Sequence, residues 1–208
     1  MAPEVWFAFA LASAAVLAIP GPTVMLVVSY ALGRGRATAW ETAPGVTLGD
    51  FTAMTASLMG AGAVLAASAT LFTVLKLLGA AYLIWLGIGL WRSRAELPDA
   101  EPAAPDRTGR SLFWHAYVVT ALNPKSIVFF VAFMPQFLDP ARPGVTQFVI
   151  LEATFLTLAA INVVLWAVLA GKLRAGFRRP ATARLVNRLG GSVLIGAGVL
   201  TALARRSG

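Results

Sequence analysis

The sequence predicts an all-α integral membrane protein with six transmembrane helices. Two observations lead to this fold class. First, 58% of the residues are hydrophobic and only 12% are charged, whereas about a quarter of the residues are charged in a typical soluble domain. Second, the apolar residues form long windows separated by short polar joints. A chain of 208 residues has too little interior to bury so much apolar surface away from water, so we expect lipid to surround it.

Six windows are long enough to cross a bilayer, whose hydrocarbon core requires about 20 mainly apolar residues per helix. They cover residues 4–32, 44–66, 70–91, 112–138, 147–171 and 185–204. Because these windows take up nearly the whole chain, they leave no room for a soluble catalytic domain. The sequence also contains no Gly-x-Ser-x-Gly motif and no P-loop, so an enzyme of those classes is not expected.

The basic residues are distributed unequally between the joints, and this predicts the orientation of the chain. Twelve of them follow the first, third and fifth windows, whereas the opposite side holds only Arg142, Arg205 and Arg206. Cytoplasmic loops are enriched in Lys and Arg, so we expect both termini outside and the basic joints inside a bacterial inner membrane. This topology, with anionic lipid headgroups as partners, explains the net charge of +8 without nucleic acid.

A polar stretch divides the single transmembrane domain, residues 1–208, into two halves. Residues 92–111 combine prolines with both acidic and basic residues. Such a composition cannot bury enough apolar surface to order itself. We therefore predict a flexible cytoplasmic linker between two three-helix halves, residues 1–91 and 112–208.

The two halves share a weak sequence repeat. Residues 78–87 in the third window and 189–198 in the sixth are identical at five of ten positions. The first window is interrupted by Pro-Gly-Pro at 20–22, and the fourth by Asn-Pro at 123–124. Since each half has three spans, corresponding spans would run in opposite directions. This is the architecture of inverted-repeat transporters, in which matching interrupted helices mark the binding site.

The interruptions should free backbone carbonyl groups inside the membrane. Proline cannot donate a hydrogen bond to the carbonyl four residues earlier, which predicts free carbonyls at Val16, Ala18 and Thr120. An unpaired backbone group is costly in hydrocarbon. Freed carbonyls can accept from an ammonium group and helix N-termini can receive a carboxylate, so the breaks suit a zwitterionic substrate. A structural kink satisfied by neighbouring helices is the alternative.

Asp50 is a carboxylate within the second window. Ionisable residues inside the membrane usually face the bundle interior and mark ion or substrate pathways. Asp50 shares one mainly polar helical face with Thr47, Met54 and Ser57, beside a stripe of small residues that includes Gly49 and favours close helix packing. We expect this helix inside the bundle. Alternatively, Asp50 reaches interfacial water at the cytoplasmic end.

Four more polar residues lie in the apolar windows. In an inverted repeat, Glu152 and Asp50 would lie at similar depths on opposite sides of the membrane midplane. Either acid could carry a proton or pair with Lys76 or Lys125. Asn162 could bond a neighbouring helix or contact substrate. The candidate substrate-binding and coupling residues are Pro20, Gly21, Pro22, Gly49, Asp50, Lys76, Asn123, Pro124, Lys125, Glu152 and Asn162. One histidine and no cysteine give little support to a transition-metal site.

Several of these motifs, in this order along the whole chain, resemble the LysE/RhtB family of amino-acid translocators. They are Pro-Gly-Pro at 20–22, Gly-Asp at 49–50, residues 76–83, and Asn-Pro-Lys at 123–125 followed by a phenylalanine-rich segment. The resemblance implies an inner-membrane exporter of amino acids or close derivatives such as homoserine, homoserine lactone or threonine, which works by proton antiport, without a cofactor, as a homo-oligomer.

Two positions depart from the family pattern. The family often has an acid where this chain has Asn162, which puts a coupling role at that position in doubt. It commonly has a glycine where this chain has Ala116, which should affect local helix packing. A small ion permease and a non-transporting membrane scaffold are the alternative classes.

Overall fold

The computed structural model describes residues 1–92, 108–139, 142–177 and 180–203. Within these ranges all regular secondary structure is helical, in agreement with the predicted fold class. The helices are α1 (Pro3–Ala18), α2 (Pro22–Arg34), α3 (Ala39–Ala67), α4 (Ala69–Arg92), α5 (Gly109–Ala121), α6 (Pro124–Val128), α7 (Gly144–Phe177) and α8 (Pro180–Leu203). Most of the predicted linker, residues 92–111, lies outside the described residues.

Length and hydropathy identify several of these helices as candidate membrane spans. Within the described residues, α4 over Thr73–Arg92 and α7 over Gly144–Ala170 are each long and apolar enough to cross a membrane. The bent pair α1 and α2 and the bent pair formed by α5 and residues 124–137 raise the number to four if each pair is one span. Helices α3 and α8 coincide with the remaining predicted windows, and α8 contributes a shorter apolar segment, Asn187–Leu203. The six-span arrangement therefore stays a prediction.

The two helix breaks occur where the sequence predicts them. The axes of α1 and α2 differ by 54°, and those of α5 and the segment after it by 42°. Each second segment begins with a proline, Pro22 in α2 and Pro124 in α6. At the first helical position the missing N–H of proline has no intrahelical partner to lose. Proline thus ends one helical segment and starts the next.

The segment after the second break does not stay α-helical. Helix α6 widens into a π-helical turn at Phe129–Phe133 and ends as a 3₁₀ turn at Met134–Phe137. Pro135 explains the change, because it cannot donate to the carbonyl four residues earlier. Phe129 and Phe130 are fully buried, and the Phe130 ring lies 4.8 Å from that of Phe155 in α7, centroid to centroid. This aromatic packing fixes α6 against α7.

Helix α3 buries one face and exposes the other. Asp50, Met54 and Ser57 are buried as the predicted polar face requires. Leu48 and Phe51, however, are 41% and 44% exposed. Helix α3 therefore lies in the bundle with its polar face inward, while its bulky apolar side chains on the opposite face form outer surface.

Small residues bring α3 against α5. A Cβ added to Gly49 would lie only 2.8 Å from the carbonyl oxygen of Tyr117 and from the Cβ of Thr120. Only a glycine allows the two backbones to approach this closely. Gly49 therefore has a packing role between α3 and α5.

Helices α4 and α8 make reciprocal contacts. In each helix a glycine lies against a carbonyl oxygen and an isoleucine of the other, so that an added Cβ would approach both within 2.7 Å. The contacts are Gly87 with Gly191 and Ile195, and Gly198 with Ala80 and Ile84. Each residue of one set follows its counterpart by 111 positions, which is the register of the sequence repeat. Two segments related by an approximate two-fold axis make contacts of this kind.

Candidate functional site

A small cavity lies where the two helix breaks face each other. It is enclosed by α1, α2, α3, α6 and α7 and has a volume of about 30 Å³. Ligand pockets usually measure about 300 Å³ or more, so this conformation is closed around the site. The polar residues that line it are Thr23, Asp50, Asn123, Lys125, Ser126 and Asn162.

The Lys125 side chain reaches from α6 to the break between α1 and α2. Its Nζ donates hydrogen bonds to the carbonyl oxygens of Val16 at 3.1 Å and Ile19 at 2.9 Å. Pro20, four residues after Val16, has no N–H to donate to the Val16 carbonyl. The sequence predicts that this carbonyl is free, but it also accepts from the backbone N–H of Ile19 at 3.3 Å. The Ile19 carbonyl is available because the chain is extended at this residue and leaves the helix.

Asp50 supplies the negative charge of the cavity. Its side chain extends from α3, is 3% exposed, and lines the same cavity as Lys125. The two charges interact electrostatically, although the Lys125 hydrogen bonds go to backbone carbonyls. Opposite charges attract strongly where water is scarce, so each charge stabilises the other inside the bundle.

Amide and hydroxyl groups connect the broken helices around the cavity. Asn123 Nδ2 donates to Thr23 Oγ1 at 3.3 Å, and the Thr23 and Thr120 hydroxyl oxygens lie 3.2 Å apart. Asn162 Nδ2 donates to the carbonyl oxygen of Leu17 at 3.1 Å. Each broken helix is therefore tied to a neighbouring helix at its break.

Sequence reasoning missed part of this site. Thr23, Thr120 and Ser126 were not candidates, although each lies within three residues of a proline break, which was the available signal. The Thr120 carbonyl, predicted to be free, accepts from the backbone N–H of Asn123 at 3.0 Å. At the first break the Val16 carbonyl likewise accepts from the backbone N–H of Ile19, at 3.3 Å. The difference between the breaks is that the Val16 carbonyl also accepts from Lys125.

The structure brings only some of the predicted residues to the cavity. Gly21, Asp50, Asn123, Lys125 and Asn162 line it. The predicted residues outside the lining are Pro20, Pro22 and Pro124 at the breaks, Gly49 between α3 and α5, Lys76 on α4 and Glu152 on α7.

Glu152 belongs to a separate polar contact between α3 and α7. Its Oε1 accepts a hydrogen bond from Thr55 Oγ1 at 2.7 Å, and its side chain is buried. Thr55 lies more than one helical turn after Asp50 in α3. Glu152 therefore contacts α3 at a different level along the helix from Asp50.

A larger hollow elsewhere in the molecule lacks groups that bind charge. It has a volume of about 700 Å³, opens between α3, α4, α5 and α6, and is lined mainly by apolar side chains without a charged residue among those described. Within the described ranges, no cluster of three or more His, Cys, Asp or Glu residues could hold a metal ion. The small cavity, with its carbonyls, amides and opposite charges, is therefore the candidate site for an ammonium or carboxylate group.

An apolar all-helical chain with opposite charges buried between two broken helices has the features of a membrane transport protein. Residues 14–205 match the family model described as LysE type translocator, and the chain belongs to that family. It is a transporter of a bacterial membrane family and not an enzyme. The resemblance found in the sequence motifs is confirmed.

Curated relatives cover most of the chain. It is 36% identical over 202 residues to an uncharacterized membrane protein of Vibrio cholerae serotype O1, covering 97% of this chain and 98% of the relative. It is 33% identical over 204 residues, with 98% of each chain covered, to the homoserine/homoserine lactone efflux protein of Salmonella typhi. It is 32% identical over 146 residues, 67% of this chain and 66% of the relative, to the leucine efflux protein of Enterobacter sp. strain 638. No solved structure matches the chain.

Proposed function

We propose that this translocator exports amino acids or their close derivatives from the bacterial cytoplasm across the inner membrane, by exchange with protons. The observation that carries the proposal is the cavity in which the Lys125 ammonium is held by two carbonyls of a broken helix near Asp50. These groups bind one ammonium already, so their chemistry suits a substrate with an amino group. The names of the relatives, which include homoserine, homoserine lactone and leucine, point to such substrates.

The cavity also offers a place for the carboxylate of an amino acid. Gly21, Thr23 and Val24 of the first turn of α2 line it. The N-terminus of a helix carries a partial positive charge and unpaired N–H groups. A zwitterion would therefore place its carboxylate towards α2 and its ammonium towards the carbonyls of Val16 and Ile19.

Asp50 is the proposed coupling residue. Among the described residues, Asp50 is the acid that lines the cavity. A proton bound to its carboxylate would therefore compete with a cationic group of the substrate. Competition of this kind couples the export of substrate to the entry of a proton. Glu152, held by Thr55, is the alternative acid.

The proposed topology is an inverted repeat of two three-helix halves, residues 1–91 and 112–208, with both termini outside and the linker in the cytoplasm. The matched breaks and the reciprocal contacts of α4 and α8 support the repeat. The distribution of basic residues supports the orientation. Assembly as a homo-oligomer within the bilayer is part of this proposal.

Transport assays in inside-out vesicles test the function directly. Labelled homoserine and leucine should accumulate in vesicles with an acidic interior, and a protonophore should abolish the accumulation. Vesicles without the protein are the control. If neither compound is taken up, the proposed substrate class is contradicted. If uptake occurs equally with and without the pH gradient, proton antiport is contradicted. A proton or metal-ion flux without amino acid would favour the ion permease, and the absence of any flux would favour the scaffold.

A further inference from the structure

We propose that Lys125 is an internal ligand: in the closed conformation its ammonium occupies the position of the substrate ammonium, and the substrate must displace it. The inference rests on the proposed function for the identity of the substrate. The occupied position itself is a feature of the closed cavity, formed by the carbonyl oxygens of Val16 and Ile19 beside Asp50. We call it the ammonium seat.

The ammonium seat has room for one ammonium group at a time. The Lys125 Nζ is bonded to both carbonyls, and a Cβ added to Gly21 would lie 3.3 Å from it. The surrounding cavity measures about 30 Å³, which is of the order of one water molecule in liquid. A substrate ammonium with its attached carbon cannot enter while the Lys125 ammonium stays. Binding at these carbonyls therefore requires Lys125 to withdraw.

The group that fills the seat has the same chemistry as the group that the candidate substrates share. A lysine side chain ends in a primary ammonium with three donors and no acceptor. Homoserine, homoserine lactone and leucine all carry a primary amino group, whereas the lactone has no free carboxylate. An exporter that accepts all three compounds would have to recognise the ammonium group, because this is the charged group that they share. The seat occupied by Lys125 provides that recognition.

We expect Lys125 to leave the seat by movement of its side chain rather than of its backbone. Its charge is carried on a flexible four-carbon stem, while its backbone is fixed at the start of α6 by the Asn123 cap. Withdrawal would leave the buried Asp50 carboxylate without its nearby positive charge, which is strongly unfavourable. An incoming substrate ammonium restores the balance. The negative charge of Asp50 is therefore balanced by Lys125 in the closed empty state and by the substrate ammonium in the substrate-bound state.

This exchange of ligands gives Lys125 a defined place in the transport cycle. After release of substrate, the protein must return empty of substrate, with the entering proton on Asp50, and Lys125 fills the seat during this step. Exchange of one substrate molecule for another does not require the empty return. Lys125 is thus a positioning residue for net export, and its loss should affect net export more than exchange.

The Lys125→Met variant separates these steps, because methionine keeps an unbranched side chain of similar reach without the charge. Removing the internal competitor should tighten the equilibrium binding of labelled homoserine by about tenfold or more. Net export should fall, while exchange of labelled for unlabelled homoserine persists. n-Butylammonium imitates the end of the lysine side chain. With labelled homoserine held well below its dissociation constant, n-butylammonium should displace it from the variant at about tenfold lower concentration than from the wild type.

A charge-matched control is Arg36→Met, which removes a positive charge from an exposed position between α2 and α3. It should leave homoserine binding and butylammonium competition as in the wild type. Unchanged or weaker homoserine binding by a folded Lys125→Met variant would overturn the proposal. That result is expected if Lys125 only stabilises the break between α1 and α2 and does not compete with substrate. Failure of butylammonium to compete would also overturn it.

A measurement on the wild-type protein keeps the proposal testable if the variant does not fold. Acylation of the Lys125 amine, followed by mass spectrometry, should become faster when saturating homoserine displaces the side chain. The membrane-permeant reagent is used in large excess over homoserine, because the homoserine amine is acylated too. Unchanged or slower acylation would contradict displacement. If the wild type neither binds nor moves any amino acid, the proposed function fails. Butylammonium binding to Lys125→Met would then still decide whether the seat exists.

Discussion

The Lys125 ammonium donates a hydrogen bond to the carbonyl oxygen of Ile19, 2.9 Å away, at the last residue before the Pro-Gly-Pro break. This contact joins the segment after the second break to the helix before the first, so the two breaks form one unit. Asp50 lines the same cavity from α3. Broken helices and buried charges, separate features in the sequence, are therefore parts of one site.

Restoring helical hydrogen bonds at the first break should impair transport without loss of stability. In a double variant, Pro20→Ala with Pro22→Ala, the new N–H at position 20 would compete with Lys125 for the Val16 carbonyl. The new N–H at position 22 would bond the Ala18 carbonyl and extend the helix. We expect transport to fall about tenfold or more, while the melting temperature stays equal or rises. Pro3→Ala, at the exposed start of α1, should change neither quantity. Normal export by the double variant would mean that the break is only a kink.

Gly49 should be required for folding more than for substrate recognition. The added methyl of Gly49→Ala would collide with Tyr117 and Thr120 of α5, and such overpacking costs about 1–3 kcal/mol. Gly62→Ala in the same helix meets nothing within 4 Å. Thermal unfolding in detergent should show a lower melting temperature for Gly49→Ala and an equal or higher one for Gly62→Ala. Equal melting temperatures for the two variants would contradict the tight packing of α3 on α5.

The reciprocal contacts of α4 and α8 predict paired effects of mutation. Gly87→Ala and Gly198→Ala each place a methyl against a carbonyl oxygen and an isoleucine of the other helix. Both should lower the melting temperature by similar amounts. Gly89→Ala and Gly196→Ala, which meet nothing within 4 Å, should not. A large effect at only one of the two close positions would argue against the approximate two-fold relationship.

The sequence predicted those parts of the site whose residue types are unusual inside an apolar helix, namely prolines and charged residues. A proline inside an apolar window forces a break, and charged residues such as Asp50 and Lys125 need partners in a low-dielectric bundle. Threonines were not distinctive, because a helical threonine can bond its own backbone. Thr47 does so, with its hydroxyl on the Ala43 carbonyl, whereas Thr23 bonds Asn123. Only the tertiary arrangement separates these two roles.

The remaining differences between sequence and structure also come from tertiary packing. The sequence suggested Lys76 or Lys125 as a partner for Glu152, whereas the packing of α7 against α3 gives it the hydroxyl of Thr55. Likewise, small residues predicted a close neighbour for α3 without indicating that the opposite face is exposed. Residue spacing determines which side chains share a helix face. It does not determine whether that face packs against another helix or forms outer surface.

The absence of cysteine from the sequence allows the topology to be mapped with single introduced thiols. A cysteine at Ala103 in the linker should react only with reagent added from the cytoplasmic side. Cysteines at Ala2 or Gly208 should react from outside, as the positive-inside rule predicts. Labelling of intact cells with a membrane-impermeant maleimide makes the comparison. Reaction of the linker cysteine in intact cells would contradict the proposed orientation.

The most direct test of the proposed site compares gradient-driven accumulation with substrate exchange in the Asp50→Asn variant. Asparagine keeps the size and hydrogen bonding of Asp50 but cannot bind and release a proton, so the variant should fold and still exchange labelled homoserine. It should no longer accumulate homoserine against a gradient in vesicles with an acidic interior. Glu4→Gln, at an exposed carboxylate in the first turn of α1, should accumulate it as the wild type does. Full accumulation by Asp50→Asn would contradict the assignment of coupling to this cavity and transfer that role to Glu152.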